Sequence, residues 1–198
     1  MVRLPSMTVT PTQRSALLAL AARSIEYGLE AGSLGPLDTP VELADVARPG
    51  ASFVTLRIAR ALRGCCGSIE ARRALAEDVW RNAWASAFAD PRFPALTREE
   101  YTRAHLHIAV LDELEPVFVT SELELCGLLR PNIDGLVLEL GHARATFLPA
   151  VWQQLPTPIA FVRELKIKAG LDPQLWHQDI RLWRYAVEEF GEPASLEP

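Results

Sequence analysis

The chain has 198 residues, 49% of them apolar and 23% charged, an ordinary globular balance with material for one sizeable domain or two small ones sharing a core. A net charge of −5 and a pI near 5.4 disfavour broad charge-driven binding to nucleic acid or to anionic lipid, leaving only a local cluster of Arg57, Arg60, Arg63, Arg72 and Arg73 as a basic patch. No apolar run approaches the roughly 20 residues that cross a bilayer, and the opening MVRLPSMTVTPTQ lacks a hydrophobic secretory core, so the expected location is the cytoplasm with no membrane partner.

In chain order, Thr10, Pro11 and Gln13 form the start of a helix, with Thr10 as N-cap and Gln13 closing a capping box. Leu17, Leu18, Ala21, Ile25 and Leu29 keep helical spacing, and Gly32 ends the helix. The Gly- and Pro-rich run that follows, up to residue 51, reads as a connector. SFVTLRI then has the β-branched and aromatic content of a strand, and a short turn at Ala59 and Arg60 leads into a second strand from Leu62. A second helix is expected in EARRALAEDVWRNAWASAFAD, where Leu75, Val79, Ala83 and Ala87 form one stripe, with DPRFP marking its end.

Thr97 with Glu100 gives another capping box, and HLHIAVLDEL reads as a strand. Ser121 with Glu124 opens a helical turn, RPNIDG is a turn, and LVLEL and ARATF are strands joined by Gly141 and His142. Thr157 and Pro158 start a helix closed by Gly170, and DIRLWRYAVEEF alternates as one long strand. Hairpins mixed with helices, without strict βαβ alternation, predict an α+β fold with antiparallel or mixed sheets flanked by helices. We read the chain as a single domain: residues 1–51 as N-terminal helix and connector, 52–190 as the α+β body and 191–198 as a tail.

The chemistry concentrates in LRGCCG, residues 62–67. Three cysteines, Cys65, Cys66 and Cys126, are too few for a disulfide framework and lack CxxC spacing, so all three are expected as free thiols. Gly64 and Gly67 bracket two of them and permit a tight turn whose N–H groups converge on an anion. Arg63 nearby would favour a thiolate at Cys65. The alternative is a small buried residue in a crowded turn. On the following helix Asp78 and Asn82 share a face one turn apart. Glu77 or Asp78 is a candidate proton acceptor, Asn82 a donor to a bound carbonyl and Arg92 an anion holder; the competing readings are first-turn acids near a helix N-terminus for Glu77 and Asp78 and a structural salt bridge for Arg92.

His105 and His107 fall on one face of a strand; metal ligation is disfavoured there, and no metal or cofactor site is expected. Tryptophans 80, 84, 152, 176 and 183 are read as packing residues. No P-loop, GxGxxG turn or iron–sulfur cysteine pattern is present.

FVTLR, LRGCCGSIEARRALAEDVWRNAWASAFADPRFPALT and DGLVLELGHARATFLPAVW with LKIKAGL together resemble the AMMECR family, over about Phe53 to Phe190. The family signature LRGCIG stands here as Leu62 to Gly67 with Cys66 in place of isoleucine, which implies that Cys66 fills an apolar niche and that Cys65 is the thiol of interest. The resemblance implies two intertwined α+β subdomains with a cleft. It also implies kinship with protein A of the AmmeMemoRadiSam set, whose companions are a Memo-like protein and a radical SAM enzyme. Two functions follow as expectations. One is an accessory component that binds a partner or a small anionic ligand through the LRGCCG turn, with Arg63, Gly64, Gly67, Asp78, Asn82 and Arg92 as binding residues. The other is an enzyme with Cys65 as nucleophile.

Overall fold

Thr10 caps helix α1 (Pro11–Ala31) as its sequence requires: its hydroxyl accepts from Gln13 N–H while Gln13 Oε1 accepts from Thr10 N–H at 2.9 Å, and Gly32 ends the helix at φ 68°. The structure is a computed structural model that describes residues 9–46 and 48–191; the leading residues 1–8 and the tail beyond Gly191 lie outside them. The fold is α+β, in two compact units of the described residues: those up to 111 together with 188–191, and residues 112–187.

In the first unit β1 (Pro49–Ile58) and β2 (Ala61–Gly67) form the expected hairpin. Its two turn residues, Ala59 and Arg60, both have positive φ, 47° and 66°. A two-residue loop with this geometry matches the twist of the flanking strands, although neither side chain is suited to it. A two-residue β3 (Arg73–Ala74) pairs with the start of β1 and leads into α2 (Leu75–Phe88). After the one-turn α3 (Arg98–Tyr101), capped by Thr97 and Glu100, β4 (Ala104–Leu111) pairs antiparallel with β1. The main sheet path is β2-β1-β4 followed by β9 (Val187–Gly191).

The stripe Leu75, Val79, Ala83 and Ala87 is buried throughout, together with Leu17, Leu20, Ala21 and Ile25 of α1 and the inward side chains Val54, Leu56, Leu106, Ile108 and Val110 of the sheet. Both helices therefore bury their apolar faces in one core with the same side of the sheet. Ser24 Oγ ties them by donating to Trp80 O at 2.7 Å.

The second unit contains β5 (Glu115–Val117), α4 (Glu122–Leu128), β6 (Gly135–Leu140), β7 (Ala143–Phe147), α5 (Pro158–Lys168) and β8 (Arg181–Tyr185), with sheet order β5-β8-β6-β7. Its core is Leu125, Leu136, Leu138, Trp152, Phe161, Val162, Leu165 and Leu182, where the Trp152 and Phe161 rings stack at 3.9 Å. Lys166 is buried but not bare: its ammonium meets the Glu122 carboxylate, donates to Leu175 O at 2.9 Å and lies over the Trp176 ring.

One expectation fails here. DIRLWRYAVEEF is not a single strand: β8 and β9 are separated at Ala186, whose carbonyl accepts from Asp112 N–H at 2.9 Å, and they join different sheets. The buried positions, Leu182, Tyr185 and Phe190, do not keep one two-residue period across the switch.

Replacing Ala59 with Asn and Arg60 with Gly relieves two strained positive-φ residues, and we expect the urea midpoint to rise by the equivalent of about 1 kcal/mol.

Candidate functional site

LRGCCG is a strand, not a turn. Residues 62–67 all lie in β2, and neither Gly64 nor Gly67 is among the glycines with positive φ, which are Gly32, Gly141 and Gly170 among the described residues. The expected nest of converging N–H groups is therefore absent at these residues. Close approach is what the glycines provide. A Cβ on Gly64 would stand 2.0 Å from Ser86 O of α2, and one on Gly67 would stand 2.3 Å from the Phe53 ring.

A bulge places the signature side chains. The register passes from Leu56 opposite Gly64 to Arg57 opposite Leu62, leaving Arg63 as the extra residue. Its guanidinium turns to the segment after α2, where Nε and Nη2 meet Glu100 at 2.9 Å each and Nη2 donates to Pro94 O at 3.0 Å. Arg63 is thus spent on a buried fork with Glu100, and it holds that carboxyl down at about 2.

Beyond the bulge Cys66 stands opposite Val54, whose side chain lies in the core, and Cys65 stands opposite Thr55 on the other face. Both thiols are free and half-buried. Burial pushes the Cys66 thiol up, and the Asp90 carboxylate adds to it. Cys65 Sγ accepts from Thr55 Oγ1 at 3.3 Å.

The groups expected to serve Cys65 hold the scaffold instead. Asp78 is fully buried; its carboxylate accepts from Ser52 N–H (2.8 Å), Ser52 Oγ (2.7 Å), Asn82 Nδ2 (2.8 Å) and the Ser68 hydroxyl. Asn82 also donates to Ser52 O at 3.0 Å. Asp78 and Asn82 therefore do share a face, as spacing predicts, and that face is turned to β1 and the end of β2. Glu77 is on the surface, paired with Arg81 at 2.8 Å.

Arg92 comes closest to its expected place. It forks onto Asp90 (Nε–Oδ1 2.9 Å, Nη2–Oδ2 2.6 Å) and reaches Cys65 O at 3.3 Å, while Asp90 Oδ2 accepts from Cys65 N–H at 2.9 Å. The Arg92 fork holds the Asp90 carboxyl far below the usual carboxylate range. Of the five arginines of the possible basic patch, Arg63 pairs with Glu100, Arg72 with Glu70, and Arg73 lies 3.8 Å from Asp78.

Four contributors escape a linear reading: Ser52, Ser68, Ser86 and Asp90. Asp90 alone carries a local signal, since an Asp two residues before an N–H it can accept from makes an Asx-type turn, here to Arg92 N–H at 3.1 Å. His105 and His107 lie on β4 opposite Arg57 and Thr55, and no group of three or more metal-ligating side chains occurs among the described residues. No described helix is long and apolar enough to cross a membrane.

A profile of the AMMECR1 family matches residues 18–190. A protein of Thermofilum pendens is 34% identical over 194 residues, covering 89% of this chain and 88% of that one. A protein of Methanothermobacter thermautotrophicus is 34% identical over 179 residues, covering 89% and 92%, and one of Thermotoga maritima is 32% identical over 172 residues, covering 86% and 94%. Among solved structures, the crystal structure of an uncharacterised protein from Pyrococcus horikoshii superposes with a TM-score of 0.81 at 30% identity, covering 92% of each chain.

Gly64→Ala drives a methyl into the Ser86 carbonyl and is expected to cost about 3 kcal/mol in chemical denaturation. Gly127→Ala, in exposed helix with open space around it, serves as the opposite control and should gain about 0.5–1 kcal/mol. The Glu100 carboxyl, depressed to about 2 from 4.5 by Arg63, contributes stability that is present above the unfolded value and lost as pH falls through the folded one. Glu100→Gln should accordingly flatten the pH dependence of the denaturation midpoint between about pH 5 and pH 2.

Proposed function

This chain belongs to the AMMECR1 family, and from that premise we propose that it is an accessory, partner- or ligand-binding component of a modification system that includes Memo-like and radical SAM proteins, acting through the region around the LRGCCG strand. One observation carries this reading: the charged side chains gathered around LRGCCG are paired with one another, although Arg63 Nη1 is left buried without a hydrogen-bond partner. Arg63 is held by Glu100, Asp78 by Ser52, Ser68 and Asn82, and Asp90 by Arg92. Such paired networks rigidify a surface and fix its shape. They suit a component that presents a defined face to a partner or an anionic ligand, with Arg92, half-exposed, as the cation nearest Cys65.

A second reading is favoured by a different observation. Cys65 is half-exposed, and a hydroxyl donates to its sulfur, which supports a cysteine-dependent enzyme with Cys65 as nucleophile.

The two separate on thiol reactivity. Native-state alkylation followed by peptide mass spectrometry, with Cys66 and Cys126 as internal references, should give slow and similar rates at all three cysteines for the accessory component. Selective, fast alkylation of Cys65 well below pH 8.5 would instead establish the nucleophile. For the accessory reading, a purified Memo-like protein from the same source should bind the wild type, and Arg92→Ala should weaken that binding while circular dichroism shows the variant folded, with some loss of thermal stability because the buried Asp90 carboxylate loses its fork.

A further inference from the structure

The HxH pair on β4 and the signature cysteine, separate in the sequence, meet on one face of the first sheet. Thr55 on β1 stands opposite Cys65 on β2 and, in the other direction, opposite His107 on β4, so Cys65, Thr55 and His107 form one row across three adjacent strands. Directly opposed residues point to the same side of a sheet, with Cβ atoms about 5 Å apart, so all three side chains project from the face away from the helices. The Thr55 hydroxyl already spans the first gap, 3.3 Å from Cys65 Sγ.

The orientation of the His107 ring follows from its other neighbour. A Cβ on Gly191 of β9 would come 2.8 Å from His107 Cδ2, so the Cδ2 edge is turned toward β9. In the order β2-β1-β4-β9, β1 lies on the opposite side of β4. The other ring edge, carrying Nδ1, is therefore turned away from β9, toward the side of β4 on which β1 lies. Gly191 leaves the room that this ring position needs. The three residues are each half-buried, open to solvent yet held in place.

The geometry points to a proton relay in which His107, acting through the Thr55 hydroxyl, is the base for the Cys65 thiol; this rests on the nucleophile reading above. The thiol proton passes to Thr55 Oγ1 as the Thr55 hydroxyl proton passes to His107 Nδ1. The products are a thiolate that accepts from Thr55 and an imidazolium on β4. The substrate class is an acyl group with a leaving group. A C–S bond forms, the bond from the carbonyl carbon to the leaving group breaks, and the leaving group departs with the proton from His107. Water then hydrolyses the thioester, restoring the thiol and releasing the acid.

The charged and titratable groups around the row are His105 on β4, Arg57 on β1, Glu189 on β9, and the Asp90–Arg92 pair beside β2, with Cys66 on the opposite face. Glu188 is engaged by Arg14.

The test is the rate of Cys65 alkylation by iodoacetamide, where the C–S bond forms, iodide leaves and the proton remains on His107, measured from pH 5 to 10 in the full-length protein. Thr55→Val, which keeps shape but removes the hydroxyl, and His107→Gln should each slow the reaction at pH 7 by at least about tenfold. Thr55→Ser should restore the wild-type rate. His107→Gln should also erase the low-pH limb, leaving one rise near the ordinary thiol value of about 8.5. Circular dichroism and the denaturation midpoint check that each variant is folded, and Thr55→Ser tests the relay even if Thr55→Val is unstable. Fast, selective Cys65 alkylation that is unchanged in His107→Gln overturns the relay and leaves the nucleophile standing. Wild-type Cys65 reacting no faster than Cys66 and Cys126 removes the nucleophile, and the relay with it.

Discussion

The first unit is organised around a single intrusion: the Ser86 hydroxyl of α2 stands in the ladder between β1 and β2. It accepts from Cys66 N–H at 2.8 Å and lies 2.7 Å from both Val54 O and Asn82 O. A direct strand-to-strand bond is replaced by one routed through a helix side chain, which locks helix and hairpin together at that point. The glycine of the signature follows from this. Helix backbone can come so near β2 only where Gly64 has no side chain. The side chains of Asn82 and Asp78, one and two turns earlier on the same helix, then reach Ser52 and complete the seam.

The same seam explains how two adjacent cysteines acquire different surroundings. A strand sends successive side chains to opposite faces. Cys66 goes with Val54 toward the helices, and Cys65 goes with Thr55 to the other side. Cys66 falls on the inward side, where a small apolar residue packs. The bulge at Arg63 preserves this division by absorbing one residue before the pair begins.

Local rules were legible in the sequence to the extent that their physics is local. Both capping boxes, the helix stripe at Leu75, Val79, Ala83 and Ala87, and the hairpin at Ala59–Arg60 depend on residues a few positions apart, and each is found in the structure. That the strand begun at Leu62 continues through Gly64 and Gly67 was not legible. Two glycines in six residues satisfy the composition of a turn, and only tertiary contact with Ser86 shows that they serve close packing in a strand. The break at Ala186 was hidden for a related reason, because which of two sheets a strand joins depends on partners distant in sequence. At the candidate site, residue types were found but not their partners. Arg63 to Glu100 spans 37 positions and Cys65 to Asp90 spans 25, distances over which no spacing rule operates.

The Asp90–Arg92 pair has a consequence for how the chain behaves among other chains. β2 is the outermost strand of its path, pairing with β1 alone, so its outward N–H and C=O would be free to pair with another molecule. At Cys65 a carboxylate accepts the N–H and a guanidinium donates to the C=O, the same two bonds that a neighbouring strand would supply. The border of the sheet is thereby finished by two side chains of a loop. At Cys65 it offers no free backbone pair to a second molecule, which blunts the edge at that residue without a further strand to cover it.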